Sequence, residues 1–435
     1  MGRKENKQGF STQAVHAGYT PDSETGALVP DISQNVSFYF TSANDAAEKF
    51  SLSRPGFSYS RLTNPTVAAL EKKLAALEGG AGATCTASGL AAHQMLLFSL
   101  MNSGDEFIAS SRLYGGTYNQ FRNSFSRSFG WQCRFADLGD IDSFKRAVTE
   151  KSRAIFIESL SNPSGAIADI EAIARVAEEA GIPLIVDNTI ATPYLCRPFE
   201  WGASIVTYST TKYLNGHANA MGGAVVDSGK FDWSQNDKFP ALSKPDESYH
   251  GLAFHKEFQE MALTYYCHAV GLRDLGACQQ PLNAFLTFTG LETLGLRMEQ
   301  HCKNALAVAR HLEQHPDIAW VSYAGLDGSP YKPMADKYLN GRASGVFTFG
   351  VKGGFDTAVD LVGNVKLFRH VANIGDTRSL IIHSASTTHS QLTEEQQLKA
   401  DVRPEGLRVS IGIEDAADLI ADLDQALAAA TQKAA

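Results

Sequence analysis

Four short apolar runs each lead into side chains that can do acid–base or anion-binding chemistry. EFIAS (106–110) is followed by Tyr114, and AIFIES (154–159) overlaps the polar stretch from Glu158 to Asn162. PLIVD (183–187) ends in Asp187-Asn188-Thr189, and ASIVTYS (203–209) ends in Ser209-Thr210-Thr211-Lys212. In α/β sheets, ligands bind outside the carboxyl ends of the strands. One Asp there is ordinarily a helix cap or turn residue, and one Lys is ordinarily solvated. An acid, an amine and several hydroxyls at adjacent strand ends together point to a site. Such a set meets the needs of pyridoxal phosphate (PLP): an amine for its Schiff base, a carboxylate against its pyridine nitrogen and a donor-rich cradle for its phosphate. Ser88-Gly89-Leu90 adds a helix start, whose free N–H groups and positive dipole end suit a phosphate dianion. Taken alone, Gly89 would serve tight packing equally well.

These residues need a sheet and helices to hold them. The four runs read as buried strands alternating with amphipathic helices, which predicts a mainly parallel sheet covered on both faces. Asn64 as N-cap and Pro65 at the first helical position open a helix that Gly79-Gly80 stop, with Val67, Leu70, Leu74 and Leu77 on one face. A second helix starts at Ser88. A third is capped by Asp169, shows Ile170, Ile173 and Ala177 on one face, and ends at Gly181 and Pro183. Residues 1–64 lack sustained periodicity and read as an arm laid on another surface. Residues 65–275 form the α/β domain, interrupted by a polar surface insertion at 228–262. Residues 276–435 form a smaller α+β domain, with a long helix (290–314) and strands at 346–351 and 407–412. No internal repeat is present.

Composition excludes several functions. The 435 residues carry 47 acids against 38 bases, a net charge of −9, which offers no field for nucleic acid or an anionic membrane. Leu96 to Met101, the most apolar stretch, is too short to span a bilayer, and no apolar segment follows the basic MGRKENKQGF to make a secretory signal. The cysteines Cys85, Cys133, Cys196, Cys267, Cys278 and Cys302 are scattered, so neither a disulfide framework nor a zinc site follows, and a reducing cytoplasm is expected. His383 and His389 lack an evident third ligand, so no metal is expected. His217 reads as a packed histidine, and Phe38, Tyr39 and Phe40 as cover for a partner subunit.

Nine blocks, in order along nearly the whole chain, resemble the Cys/Met-metabolism family of fold-type-I PLP-dependent enzymes. They are YSRLTNPT (59–66), ASGLAA (87–92), YGGTY (114–118), ESLSNP (158–163), VDNT (186–189), YSTTKYLNGH (208–217), GLETLGLRMEQH (290–301), IGDTRSLIIHSASTTH (374–389) and LRVSIGIED (407–415). The insertion, with FPAL (239–242) and SYHGL (248–252), is similar to the O-acetylhomoserine sulfhydrylase branch. The resemblance implies PLP bound covalently to Lys212, Asp187 at the pyridine nitrogen, Tyr114 stacked on the ring and assisting proton transfer, and Asn162 at the phenolic oxygen. It implies that Ser88, Gly89, Leu90, Ser209 and Thr211 hold the phosphate, with Tyr59 and Arg61 reaching it from a neighbouring subunit. Arg408 would clamp the substrate carboxylate, aided by Tyr59, Asn373 and Ser379. A homo-oligomer is implied, most simply a tetramer built from dimers with shared sites. Two departures stand out: Ser384 replaces the Pro of the usual HPAST, and Leu90 stands where that branch often has Gln.

The implied activity is γ-replacement, in which O-acetyl-L-homoserine and sulfide, or methanethiol, give L-homocysteine, or L-methionine, and acetate. A γ-lyase or a cystathionine γ-synthase or lyase type of reaction is the alternative, which the insertion disfavours. A Rossmann oxidoreductase is disfavoured because no GxGxxG follows a first strand, and a silent scaffold because every expected catalytic position is filled.

Overall fold

The computed structural model describes residues 8–388, 390, 393–399 and 401–434; His389 lies outside the described residues. Helix α1 (Pro65–Glu78) begins where the carboxamide Oδ1 of Asn64 accepts the N–H groups of Thr66 and Val67, at 3.0 and 3.4 Å, with Pro65 in its first turn. It ends at Gly79, whose φ of 81° is left-handed. Val67, Leu70, Leu74 and Leu77 are buried as one face. Helix α2 (Gly89–Leu100) is capped by Ser88, and α3 (Ile170–Glu179) by Asp169.

These helices cover a seven-stranded sheet made of β1 (Gly82–Thr86), β2 (Glu106–Ser110), β3 (Gln132–Ala136), β4 (Ser152–Glu158), β5 (Leu184–Asp187), β6 (Ile205–Tyr208) and β7 (Gly223–Asp227). Their order across the sheet is β1-β7-β6-β5-β4-β2-β3. Only β7 runs against the rest. The central strands are buried Val, Ile and Phe, as a parallel sheet covered on both faces requires. Parallel pairing sets the ends of β4, β5 and β6 level, with Glu158 opposite Asp187 and Asp187 opposite Thr207. The polar residues after each strand therefore gather along one edge.

A second sheet contains β8 (Ile318–Ser322), β9 (Val346–Val351), β10 (Arg369–His370), β11 (Leu380–Ile382) and β12 (Gly406–Ser410), in the order β10-β11-β12-β9-β8. It is antiparallel apart from the β10–β11 pair, and β12 carries Arg408 between Thr348 and Ile382. The architecture is thus α/β, with a large, mainly parallel sheet and a smaller second one.

The structure revises three expectations. The helix expected over 290–314 is two helices, α4 (Pro281–Glu292) and α5 (Leu294–Gln314). The guanidinium of Arg297 donates to the carbonyls of Gly290 and Tyr213, both at 2.7 Å, so the Gly290 carbonyl is drawn out of the ladder and the axis breaks at Thr293. The insertion at 228–262 has an apolar centre of its own: Trp233, Phe239, Leu242 and Phe254 are buried, and the Trp233 and Phe239 rings meet edge to face at 5.2 Å. The arm holds two short helices, Phe10–His16 and Ala43–Phe50, yet Leu28 and Tyr39 are 81% and 86% exposed.

Asn64 also ties the arm to α1, because its Nδ2 donates to the Ser33 carbonyl and to Ser60 Oγ, both at 2.9 Å. Asn64→Ala removes the cap and both tethers. The expected result is a loss of about 1–2 kcal/mol in chemical denaturation together with faster proteolytic cleavage before residue 64. An unchanged cleavage pattern would show that the arm is held by other contacts.

Candidate active site

The edge of the large sheet brings five segments together. Lys212 follows β6 through the turn Ser209–Thr211, and its Nζ donates to Asn373 Oδ1 at 2.5 Å. Burial, aided by the Arg408 charge, lowers its pKa to about 8, so the amine is far more readily neutral than a surface lysine. Arg408 is buried, and its guanidinium donates to Asn162 Oδ1 at 3.2 Å and to the Asn373 carbonyl at 3.3 Å. Burial lowers its pKa to about 10, opposed by Tyr114 and Tyr213. Neither cation has a carboxylate partner among the described residues. A half-buried amine and a buried guanidinium facing one asparagine make a place for an anion.

Glu158 orders the opposite side. Its Oε1 accepts the backbone N–H of Tyr114 at 2.7 Å and its Oε2 that of Asn162 at 3.0 Å. Burial and the charge of Asp187 push its pKa up, and the two N–H bonds partly offset this. Asp187 Oδ1 accepts the N–H of Thr189 at 2.9 Å, and Thr189 Oγ1 accepts the N–H of Ser209 at 2.8 Å. Ser159 donates its N–H to the Asp187 carbonyl at 3.0 Å, which chains the ends of β4, β5 and β6 into one unit.

The start of α2 closes the site. Ser88 takes the N–H of Ala91 on its hydroxyl and that of Ala92 on its carbonyl. The amides of Gly89 and Leu90 are left without an acceptor among the described residues, and these two donors sit at the positive end of a helix. A Cβ on Gly89 would lie 2.9 Å from the Cβ of Ser209. Glycine is what lets the helix start meet the turn that carries Lys212. Thr211 Oγ1 exchanges hydrogen bonds with the backbone of Gly222, both at 3.1 Å.

These residues fit PLP. A half-buried amine of lowered pKa, a carboxylate, and a corner of free amides beside the Ser209 and Thr211 side chains match an aldehyde, a pyridine nitrogen and a phosphate respectively. The structure brings together Lys212, Asp187, Tyr114, Asn162, Asn373, Arg408, Ser88, Gly89, Leu90, Ser209 and Thr211. It does not bring Ser379 to them: that hydroxyl donates to Glu414 at 3.0 Å and accepts the N–H of Gly412 at 2.8 Å, within a closed turn. Nor does it bring Tyr59 and Arg61. They stack at 5.4 Å and line a separate groove of about 840 Å³ with Ser248, Tyr249, His250 and Arg273. His217 is a local packing residue whose Nδ1 meets the Asn215 carbonyl at 2.7 Å.

Two contributors escape the sequence reading. Glu158 was legible only as part of a polar strand end, and Thr189 only as a neighbour of Asp187. Their work, holding backbone N–H groups across chain segments, leaves no mark in local spacing. No cluster of metal ligands occurs among the described residues, and no helix there is long and apolar enough to cross a membrane.

Comparison with known proteins agrees with this geometry. A family model described as Cys/Met metabolism PLP-dependent enzyme matches residues 11–428. The homocysteine synthase of Schizosaccharomyces pombe is 43% identical over 420 residues, which cover 96% of this chain and 98% of that protein. O-acetyl-L-homoserine sulfhydrylase 1 of Thermus thermophilus is 44% identical over 421 residues, covering 96% and 100%. A crystal structure of an O-acetylhomoserine (thiol)-lyase from Campylobacter jejuni, with a pyridoxyl-lysine monophosphate in its chain, superposes with a TM-score of 0.94 at 40% identity, covering 97% of this chain and all of that one. With the match running almost end to end, this chain belongs to the Cys/Met-metabolism family of PLP-dependent enzymes.

Proposed function

We propose that the chain is an O-acetyl-L-homoserine sulfhydrylase, joining O-acetyl-L-homoserine and sulfide into L-homocysteine and acetate, with methanethiol as the alternative thiol giving L-methionine. The observation that carries this reading is the buried Arg408 guanidinium, free of any carboxylate partner among the described residues and linked to the Lys212 amine through Asn373. A planar, two-pronged cation there suits the α-carboxylate of an amino-acid substrate. The acetyl-homoserine and sulfide assignment draws on the relatives, which align with this chain over 96% of its length, insertion included.

Bound PLP supplies an electron-withdrawing ring that accepts the electron pair released at the substrate α-carbon. Lys212 would hold it and, once its amine is free, carry protons between the α- and β-carbons. Its lowered pKa makes a neutral amine available near neutral pH. Asp187 would pair with the pyridine nitrogen, and Asn162 would donate to the ring oxygen. Ser88, Gly89, Leu90, Ser209 and Thr211 would receive the phosphate. Tyr114, half exposed on the open side, would cover the ring and assist proton transfer. Acetate departs from the γ-carbon and the thiolate adds there, so the four-carbon skeleton and its amino group are kept.

The same reading places the enzyme in the cytoplasm as a homo-oligomer, a tetramer built from dimers that share sites. It divides the chain into an arm (1–64), a cofactor domain (65–275) and a C-terminal domain (276–435). Support for shared sites comes from Tyr59 and Arg61, which face a groove away from their own Lys212.

Three outcomes follow. With O-acetylhomoserine and sulfide, the product should be homocysteine with stoichiometric acetate. Ammonia and 2-oxobutyrate forming without sulfide would instead mark a γ-lyase. Arg408→Lys keeps the charge but loses the fork, so KM for O-acetylhomoserine should rise by roughly tenfold or more while KM for sulfide stays put. Equal rises in both would assign Arg408 a general structural role. Arg61→Ala and Lys212→Ala should each be nearly inactive, and their co-refolded hybrid should regain activity well above the sum of the two, because some sites then hold both native residues. Hybrids shown to form yet lacking any recovery would refute sharing.

A further inference from the structure

His93 lies in the second turn of α2, four residues after Gly89, with its side chain only 2% exposed. Its ring is wedged between two others, edge to face with Phe156 at 4.9 Å and tilted against Phe121 at 5.9 Å. Neither ring nitrogen has a satisfied hydrogen bond among the described residues. A phenylalanine would fill such an aromatic slot without burying two polar atoms, each of which costs free energy when unpaired. What imidazole adds is reach toward one charged group: Nε2 is 3.3 Å from Asp187 Oδ2. The other carboxylate oxygen, Oδ1, already accepts the Thr189 N–H. Thr189 and His93 thus approach the two oxygens of Asp187 separately.

We propose that His93 is a positioning residue for Asp187: its Nε2–H donates a hydrogen bond to Oδ2, and with Thr189 it fixes the carboxylate in the orientation that meets the cofactor's pyridine nitrogen. Nε2 must carry a proton, because a carboxylate oxygen can accept but cannot donate. A carboxylate held at one oxygen can swing about its χ2 torsion, whereas one held at both presents a fixed face. The residue touches neither substrate nor cofactor and acts through Asp187. The inference rests on the placement of Asp187 against the pyridine nitrogen.

The test is a double-mutant cycle read by PLP affinity of the apoprotein, from absorbance titration. His93→Met fills the slot without a donor, and His93→Gln places an amide N–H near the native Nε2. His93→Met should weaken PLP binding by roughly tenfold and His93→Gln by no more than about threefold, the scale of one hydrogen bond to a charged group. In an Asp187→Asn background, His93→Met should cause little further loss, since the interaction it removes is already gone. Parental affinity in His93→Met, or the same fold-loss in both backgrounds, overturns the proposal. Parental affinity in Asp187→Asn alone overturns it at its base, by removing Asp187 from the pyridine nitrogen. Should the Met variant not fold, nitrogen-15 NMR of histidine-labelled apoprotein decides. A ring protonated on Nε2, whose signal vanishes in His93→Gln, supports the assignment, and protonation on Nδ1 alone refutes it.

Discussion

The close approach of Gly89 to Ser209 is the contact on which the rest of the site depends. A methyl group at position 89 would sit 2.9 Å from one serine carbon and 3.0 Å from another, inside ordinary van der Waals distance. With no methyl group there, the start of α2 reaches the turn after β6. Two unbonded amides then face the same corner as the hydroxyls of that turn, and Lys212 emerges three residues after Ser209. Thr189 ties the Ser209 amide to the Asp187 segment, so any shift of helix or turn would also move the carboxylate. The start of α2, the amine and the acid form one mechanical unit built from three strand ends and one helix.

Charge in this unit is arranged by burial more than by pairing. Lys212 and Arg408 are held near each other in a dry pocket, and each is pushed toward its neutral form, to about 8 and about 10. Such an arrangement costs stability, because two like charges are desolvated with no carboxylate partner among the described residues. An anion bound between them would recover that cost, which would couple its binding to stability. Since the folded-state pKa of Lys212 lies below its unfolded value of about 10.4, its share of the cost is fully present below pH 8. It fades as pH rises from about 8 toward that unfolded value.

Much of this was legible in the sequence because function sits at strand ends, where chemistry-bearing side chains interrupt apolar runs. PLIVD followed by Asp187-Asn188-Thr189 and IVTY followed by Ser209 to Lys212 mark both a strand boundary and a site. The cap at Asn64 with Pro65 was equally plain. Strands β1 and β7 were not, because GATCT and GAVVD begin with glycine and carry small residues whose burial comes from their neighbours. The edge strand β3, QCRFA, is largely solvated and reads as polar chain. The break at Thr293 depends on Arg297 reaching carbonyls at 213 and 290, which no local pattern encodes. Ser379 was placed at the substrate by resemblance, and the structure shows its hydroxyl committed to Glu414 and Gly412. In each case a contact remote in sequence decided the outcome.

The arm presents the complementary problem of residues with chemical capacity but no site in their own chain. Arg61 donates to the Arg273 carbonyl and stacks on Tyr59, and Arg273 in turn stacks on Tyr249 of the insertion at 5.3 Å. Arm, insertion and the segment before α4 therefore share one groove with a basic rim and much of its lining apolar. In the proposed cofactor site, the corner formed by Gly89, Leu90, Ser209 and Thr211 would offer only neutral donors to a phosphate dianion. A dianion in a dry corner is better matched when a guanidinium joins those donors. The arm's exposed apolar side chains, Leu28 and Tyr39 among them, are the kind of surface that burial against another copy would stabilise. Distributing phosphate ligands between two copies would make assembly and cofactor retention a single equilibrium, with each favouring the other.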